Sequence, residues 1–176
     1  MESDKKDIAI KDACILFDLV DLNLLEDFFQ LELIVFTTPQ VIGEITNNAQ
    51  LGEINKQINK GKLVIDSNGD FNEIFNIYNE FPGLSVADSS VLELAKRRNA
   101  IVFSSDGSLR KISTRQNLVV RGILWIIEEM CNKNLITVVE ALEKIEGYIS
   151  INQRPAPKLE IEKLINRLKG KLINNN

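Results

Sequence analysis

Histidine is absent from all 176 residues. That absence removes every Ser-His-Asp, Cys-His and His-zinc arrangement in one step. Cysteine is scarce as well: Cys14 and Cys131 each stand inside an apolar stretch. Two thiols cannot close a zinc site, and isolated cysteines of this kind are expected to serve as small buried hydrophobes rather than to form a disulfide. Aromatic residues make up only 6% of the chain, and Trp125 and the phenylalanines fall at core-like positions rather than as stacking platforms for bases. Apolar runs, such as residues 122–127, stop far short of the ~20 residues that a membrane span needs. Residues 1–7 carry charges of both signs with no apolar signal core behind them, so the expected setting is cytoplasmic, with no membrane. The chemistry is left to carboxylates, hydroxyls and bases.

What is present is ordinary for a globular chain: 44% hydrophobic and 26% charged residues. The length suits one domain, which can bury roughly 70% of the surface exposed by the unfolded chain without a disulfide or metal staple. The formal net charge of -4 is unevenly spread. Residues 1–94 are strongly acidic. Residues 95–122 hold Lys96, Arg97, Arg98, Arg110, Lys111, Arg115 and Arg121 against Asp106 alone. Such a basic segment on an acidic body can dock phosphates locally, or it can form solvated helix faces.

Hydrophobic periodicity divides the chain into alternating elements. Residues 8–11 read as a strand that stops at Asp12. Helical spacing over 14–29 has a break near Asn23. A second strand covers 33–36, and Thr38-Pro39 starts a helical region that Gly61 ends. A third strand covers 63–65, followed by a helix over 71–78. Ser85 and Asp88 stand in capping-box spacing at the start of a helix over 85–98. A fourth strand at 101–103, a helix at 109–116 and a fifth strand at 118–120 follow. Helices over 122–130 and 138–149 come next, and Pro155 and Pro157 precede an amphipathic segment at 159–168. Strands alternating with helices predict an α/β fold, with a parallel sheet covered by helices on both faces. In such sheets the functional crevice lies beyond the carboxyl ends of the strands.

Four acids have neighbours that place them near the core or at strand ends: Asp12, Glu44, Asp88 and Asp106. Glu44 is the clearest, flanked by Val41, Ile42 and Ile45. Gathering acids is unfavourable, since one pair at 4 Å costs about 4 kcal/mol at an effective dielectric near 20. A proton or a hard cation must compensate such a cluster, and oxygen-only ligands favour Mg²⁺ or Mn²⁺ over zinc. Each acid also has a local reading: Asp12 as a helix cap, Asp88 as the capping-box partner of Ser85, Asp106-Gly107 as a turn pair, and Glu44 as a salt-bridge partner.

Strand–Asp12, Pro39-x-x-x-x-Glu44, Leu84-Ser85-x-x-Asp88-x-x-x-Leu92-x-Leu94-Ala95 and Phe103-Ser104-x-Asp106-x-x-Leu109-Arg110 together resemble a PIN domain. The stretches at 12–29 and 122–136 resemble its toxin-like, VapC-type branch. The resemblance covers about residues 7–136, leaving 137–176 as a C-terminal helical extension packed on the same domain. It implies a three-layer α/β/α sandwich with a five-stranded parallel sheet. It also implies a ribonuclease hydrolysing RNA phosphodiester bonds with Mg²⁺ or Mn²⁺, one or two ions being held by Asp12, Glu44, Asp88 and Asp106. Ser104 matches the family's hydroxyl residue, placed to hydrogen-bond a ligand carboxylate or the water, while Arg110, Lys111 and Arg115 are expected to hold RNA phosphates. As implied partners come an antitoxin protein and a second copy of the chain. The helices at 138–149 and 159–168 have apolar faces that either dock such a partner or cover their own sheet.

Ala13-Cys14 departs from the small hydroxyl pair that usually follows the first Asp. This motivates an alternative, a catalytically weak PIN-like module that binds RNA or protein. A receiver-like phospho-acceptor fits badly: the first strand ends in one acid rather than an adjacent pair, although Asp66 does follow the third strand.

Overall fold

The computed structural model describes residues 7–10, 12–152 and 156–174, with the backbone alone at 7, 9, 10, 12, 13 and 174. Five short, β-branched-rich segments form its strands: β1 (Asp7–Ile10), β2 (Ile34–Thr37), β3 (Leu63–Ile65), β4 (Ile101–Phe103) and β5 (Val120–Arg121). They make one sheet in the order β3-β2-β1-β4-β5, with every pairing parallel. The register sets Ala9 beside Phe36 and Val102, Ile10 beside Phe103, and Phe103 beside Arg121. Parallel neighbours need crossovers, and helices supply them: α1 (Asp12–Asp21), α2 (Leu25–Phe28), α3 (Pro39–Gly43), α4 (Asn48–Asn59), α5 (Phe71–Glu80), α6 (Val86–Arg98) and α7 (Gly107–Arg115); α8 (Ile123–Asn132), α9 (Val138–Ile151) and α10 (Lys158–Asn174) follow the last strand.

The two-residue period of a strand sends successive side chains to opposite faces. Val35 and Phe103 join one core, while their neighbours Phe36 and Val102 join another. The first core is closed by α1, α2, α4, α8, α9 and α10 through residues such as Leu16, Phe28, Ile54 and Ile126. Val41, Ile77, Leu92 and Leu109, from α3, α5, α6 and α7, close the second. Ala141, Ile145 and Tyr148 of α9, with Ile161, Leu164 and Leu168 of α10, are buried in the first core. The apolar faces of these two helices therefore cover their own chain. No helix among the described residues is long and apolar enough to cross a membrane.

Several boundaries differ from the sequence reading for local reasons. The helical region after Pro39 is two helices, because Asn47 caps a new start by accepting from Ala49 and Gln50. Gly61, at φ 69°, follows the last turn of α4 in the left-handed region that glycine enters without a Cβ penalty. Among the described residues, Asn23, Asn99, Asn117 and Asn134 also have positive φ, each just past a helix. Asparagine tolerates that conformation better than most residues with a side chain. Helix α6 is buried from Ala87 through Ala95 without interruption, so it runs through the interior rather than lying on it.

Candidate active site

In the order β3-β2-β1-β4-β5 the chain winds outward from β1 to β3, then returns to the opposite side of β1 with β4. The reversal between β1 and β4 is the topological switch point, beyond whose carboxyl edge parallel sheets keep their ligand crevices. Asp12 is the first residue of α1, immediately after β1, and Asp106 follows β4. Adjacent strands thus deliver two of the four acids to that edge. Asp12's carboxylate lies outside the described residues.

Asp106 is held by a tight polar turn. Ser104, fully buried, accepts the Asp106 backbone N–H on its Oγ at 3.0 Å. Asp106 Oδ1 in turn accepts the Leu109 N–H at 2.8 Å and so caps α7. One turn into that helix, Arg110 reaches back and donates from Nη1 to the Ser104 carbonyl at 2.9 Å. Gly122 makes room for this: a Cβ there would stand 3.2 Å from Arg110 Nη1. Ser104 Oγ thus holds the backbone where Asp106 begins its helix.

Asp88 is buried at the third position of α6. Its Oδ2 accepts the Ser85 N–H at 2.8 Å, and Ser85 Oγ accepts the Asp88 N–H at 3.0 Å, a complete capping box. The capping-box reading of Asp88 is thus realised, and Asp106, read locally as a turn residue with Gly107, also caps a helix. Both roles are compatible with chemistry, because a carboxylate has two oxygens and about four lone pairs. Thr38, the N-cap of α3, shares a buried 2.8 Å hydrogen bond with Ser90 and accepts the Val41 N–H at 3.2 Å. That bond ties α3 to α6.

Glu44 corrects one expectation: its apolar neighbours do not draw it toward the core. Val41 and Ile45 take the inward positions, α3 ends at Gly43, and Glu44 is exposed as the C-cap. Helix α3 packs against both α1 and α6, and α6 against α7, so the elements bearing the four acids form one connected group. Among the described residues, no three Asp, Glu or Cys side chains come together closely enough to hold a metal ion. Glu44, Asp88 and Asp106 do not form such a group by themselves.

The basic segment divides. Arg97 donates from Nε to Glu93 at 2.7 Å and from Nη2 to Asp66 at 3.1 Å. Arg98 donates from Nε to Asp66 at 2.8 Å and lies 3.8 Å over the Phe36 ring, while Lys96 pairs with Glu73 at 3.0 Å. These three bases are spent on the fold. Asp66, at the end of β3, is the centre of that network. Burial pushes its carboxyl up, but hydrogen bonds from Arg97, the Asn68 backbone N–H and Arg98 more than offset this and hold it below the usual carboxylate range. Lys111 and Arg115 are exposed, and with Arg110 and Arg121 they border a shallow groove along α7 and β5.

Sequence reasoning missed a second feature. A cavity of about 500 Å³ opens at the carboxyl ends of β4 and β5, with Trp125, Arg121 and Lys163 among its lining. Trp125 is half-buried there, not enclosed in the core as its pattern implied, with its ring 5.7 Å from that of Phe103. Arg121 at the end of β5 sets its guanidinium 5.7 Å from the Trp125 ring centre, a contact that no helical spacing announces because it bridges a strand and the next helix. Cys14 is likewise exposed rather than buried, while Cys131 is buried.

A comparison with curated proteins gave no match. A comparison with protein-family models matched residues 8–166 to the model described as a PIN domain. The match reaches well into α10, beyond the limit near residue 136 drawn from the motifs.

Proposed function

The chain belongs to the PIN-domain family, in general a family of nuclease domains. From that premise we propose that it is a metal-dependent ribonuclease that hydrolyses RNA phosphodiester bonds at the switch point between β1 and β4. The observation that carries this reading is the Asp106 turn: a carboxylate that accepts the Leu109 N–H, on a residue whose own N–H is held by Ser104 Oγ, beside the exit of the strand that leads to Asp12, with Arg110 folded against the same loop. The donor set is all oxygen and suits Mg²⁺ or Mn²⁺. Asp12, Glu44, Asp88 and Asp106 would hold the ion. When bound, it offsets charge on the scissile phosphate and makes an attacking water more acidic, which a chain without histidine cannot do by an imidazole base. Ser104 acts as a positioning residue through the Asp106 backbone. Arg110, Lys111 and Arg115 border the groove leading away from the site and bind the RNA phosphates on either side of the cut. Unstacked, single-stranded RNA is the substrate class that fits such a recessed edge.

The physiological role proposed with this chemistry is that of the toxin in a toxin–antitoxin pair, with an antitoxin protein and a second copy of the chain as partners. Cys14 is exposed two residues after Asp12, where a hydroxyl could have oriented a ligand. That observation favours the second reading, a module that binds RNA or protein and cuts weakly. An assay on single-stranded RNA with Mn²⁺, comparing wild type with Asp12→Asn, separates the outcomes. The proposal expects cleavage that EDTA stops and a loss of about 100-fold or more in the variant. Equal activity in both proteins removes Asp12 from the mechanism, and metal binding without turnover supports the weak module.

A further inference from the structure

The cavity at the ends of β4 and β5 is placed and built differently from the acidic edge. Ser104, Ser105 and Gly107 contribute to its wall, so it opens beside the loop that carries Asp106. Arg110 and Arg121 line one side, Trp125 and Glu128 belong to α8, and Glu160, Lys163 and Arg167 stand on α10. Arg167 is held by Glu128 through two hydrogen bonds of 2.8 Å. Arg110 and Arg121 make theirs to backbone carbonyls, of Ser104 at 2.9 Å and Val120 at 3.3 Å. Arg121 Nε is buried and finds no acceptor among the described residues. Beyond the Arg167–Glu128 pair, the described lining residues then set three cations, Arg110, Arg121 and Lys163, against one acid, Glu160. Like charges gathered on a concave, partly dry wall raise the energy of the empty site and favour an anion.

We propose that this cavity seats one nucleotide of a single-stranded RNA, its phosphate on Arg110, Arg121 and Lys163 and its base against Trp125. The inference rests on the nuclease reading above, because it makes the bound nucleotide a neighbour of the one cut at Asp106. A volume of about 500 Å³ lies within the range of small-molecule sites and accommodates a single nucleotide. A guanidinium fork matches phosphate oxygens, and an aromatic face accepts any base by stacking. An acidic peptide would satisfy the cations but would leave the ring without a base and would not have to pass the Asp106 loop. In this arrangement α10 supplies part of the substrate site as well as covering the core.

Trp125 is the single tryptophan of the chain, so its fluorescence reports on this cavity alone. A hexauridylate titration in EDTA, where no cutting occurs, tests the proposal. Saturable quenching is expected in wild type. In Lys163→Ala and in Arg121→Ala the affinity should weaken about tenfold, and the slope of log K against log salt should fall by roughly one contact. Lys163 is exposed, and melting curves verify that both variants fold. No quenching, or quenching that both variants leave unchanged, overturns the proposal. So does quenching by hexaglutamate without quenching by hexauridylate. If quenching depends on Lys163 but RNA is not cut with Mn²⁺, the nucleotide site stands and the nuclease reading fails. If RNA is cut without any quenching, the nuclease reading stands and this site fails.

Discussion

The carboxyl edge of the sheet carries acids in two different environments. At its β3 end, Asp66 is enclosed by two guanidinium groups, and Glu93 shares one of them. Toward the β1–β4 switch point, Asp88 and Asp106 each accept a backbone N–H at a helix start. An acid paired with arginine is neutralised where it stands and joins two elements, here β3 and α6. An acid aimed by a cap is given a direction. Under the proposed function, the first kind of acid holds the fold together and the second serves the chemistry.

Replacement of Asp66 by asparagine is the strongest way to break that contrast. It leaves Arg97 and Arg98 facing a neutral amide. Breaking a buried pair costs 3–5 kcal/mol in general, and because both arginines are about a third exposed we expect about 2–3 kcal/mol here. Calorimetry or melting should show Tm lowered by roughly 5–10 °C, with activity per folded molecule retained. A stable but inactive Asp66→Asn protein would mean that the two ends of the edge had been assigned the wrong way round.

A pH series sharpens the same comparison. The carboxyl of Asp66 titrates lower in the folded chain than in the unfolded one. Its contribution is therefore complete above the unfolded value, about 4, and is lost as pH falls through the lower folded value. Wild-type Tm should drop below about pH 4, and Asp66→Asn should lose that part of the decline. An identical acid limb in the two proteins would contradict the pairing. The smallest expected effect on stability is that of Ser104→Ala, which removes the acceptor of the Asp106 N–H and should cost about 1 kcal/mol. Because the serine positions Asp106, cleavage should fall about tenfold even where the variant is fully folded.

Much of this arrangement was legible in the chain, for reasons that particular residues make clear. Strands such as residues 101–103 are brief β-branched runs, and burial on both faces leaves them no other pattern. Ser85 and Asp88 announced a capping box through a three-residue spacing that is purely local. Asn23 was read as a break, but Asn99, Asn117 and Asn134 mark helix ends by the same left-handed geometry and carry no distinctive neighbours. Glu44 was misjudged because periodicity assumes a continuing helix, and α3 ends one residue before it. Asp66 and Arg97 are 31 positions apart, so no spacing rule links them. The cavity beside β5 was hidden for the same reason, since its walls come from segments as distant as Ser104 and Lys163.

The central claim is that the switch-point acids share a divalent ion, and thermal melting in Mn²⁺ against EDTA tests it most directly. Asp106→Asn is the suitable partner to wild type, because asparagine caps a helix about as well as aspartate and keeps the fold. With Mn²⁺ at about a hundred times its dissociation constant, binding should stabilise wild type by about 2.7 kcal/mol, a rise in Tm of roughly 5–10 °C. The variant should lose most of that rise while melting normally in EDTA. A wild-type Tm indifferent to Mn²⁺, or an equal rise in Asp106→Asn, would contradict the account.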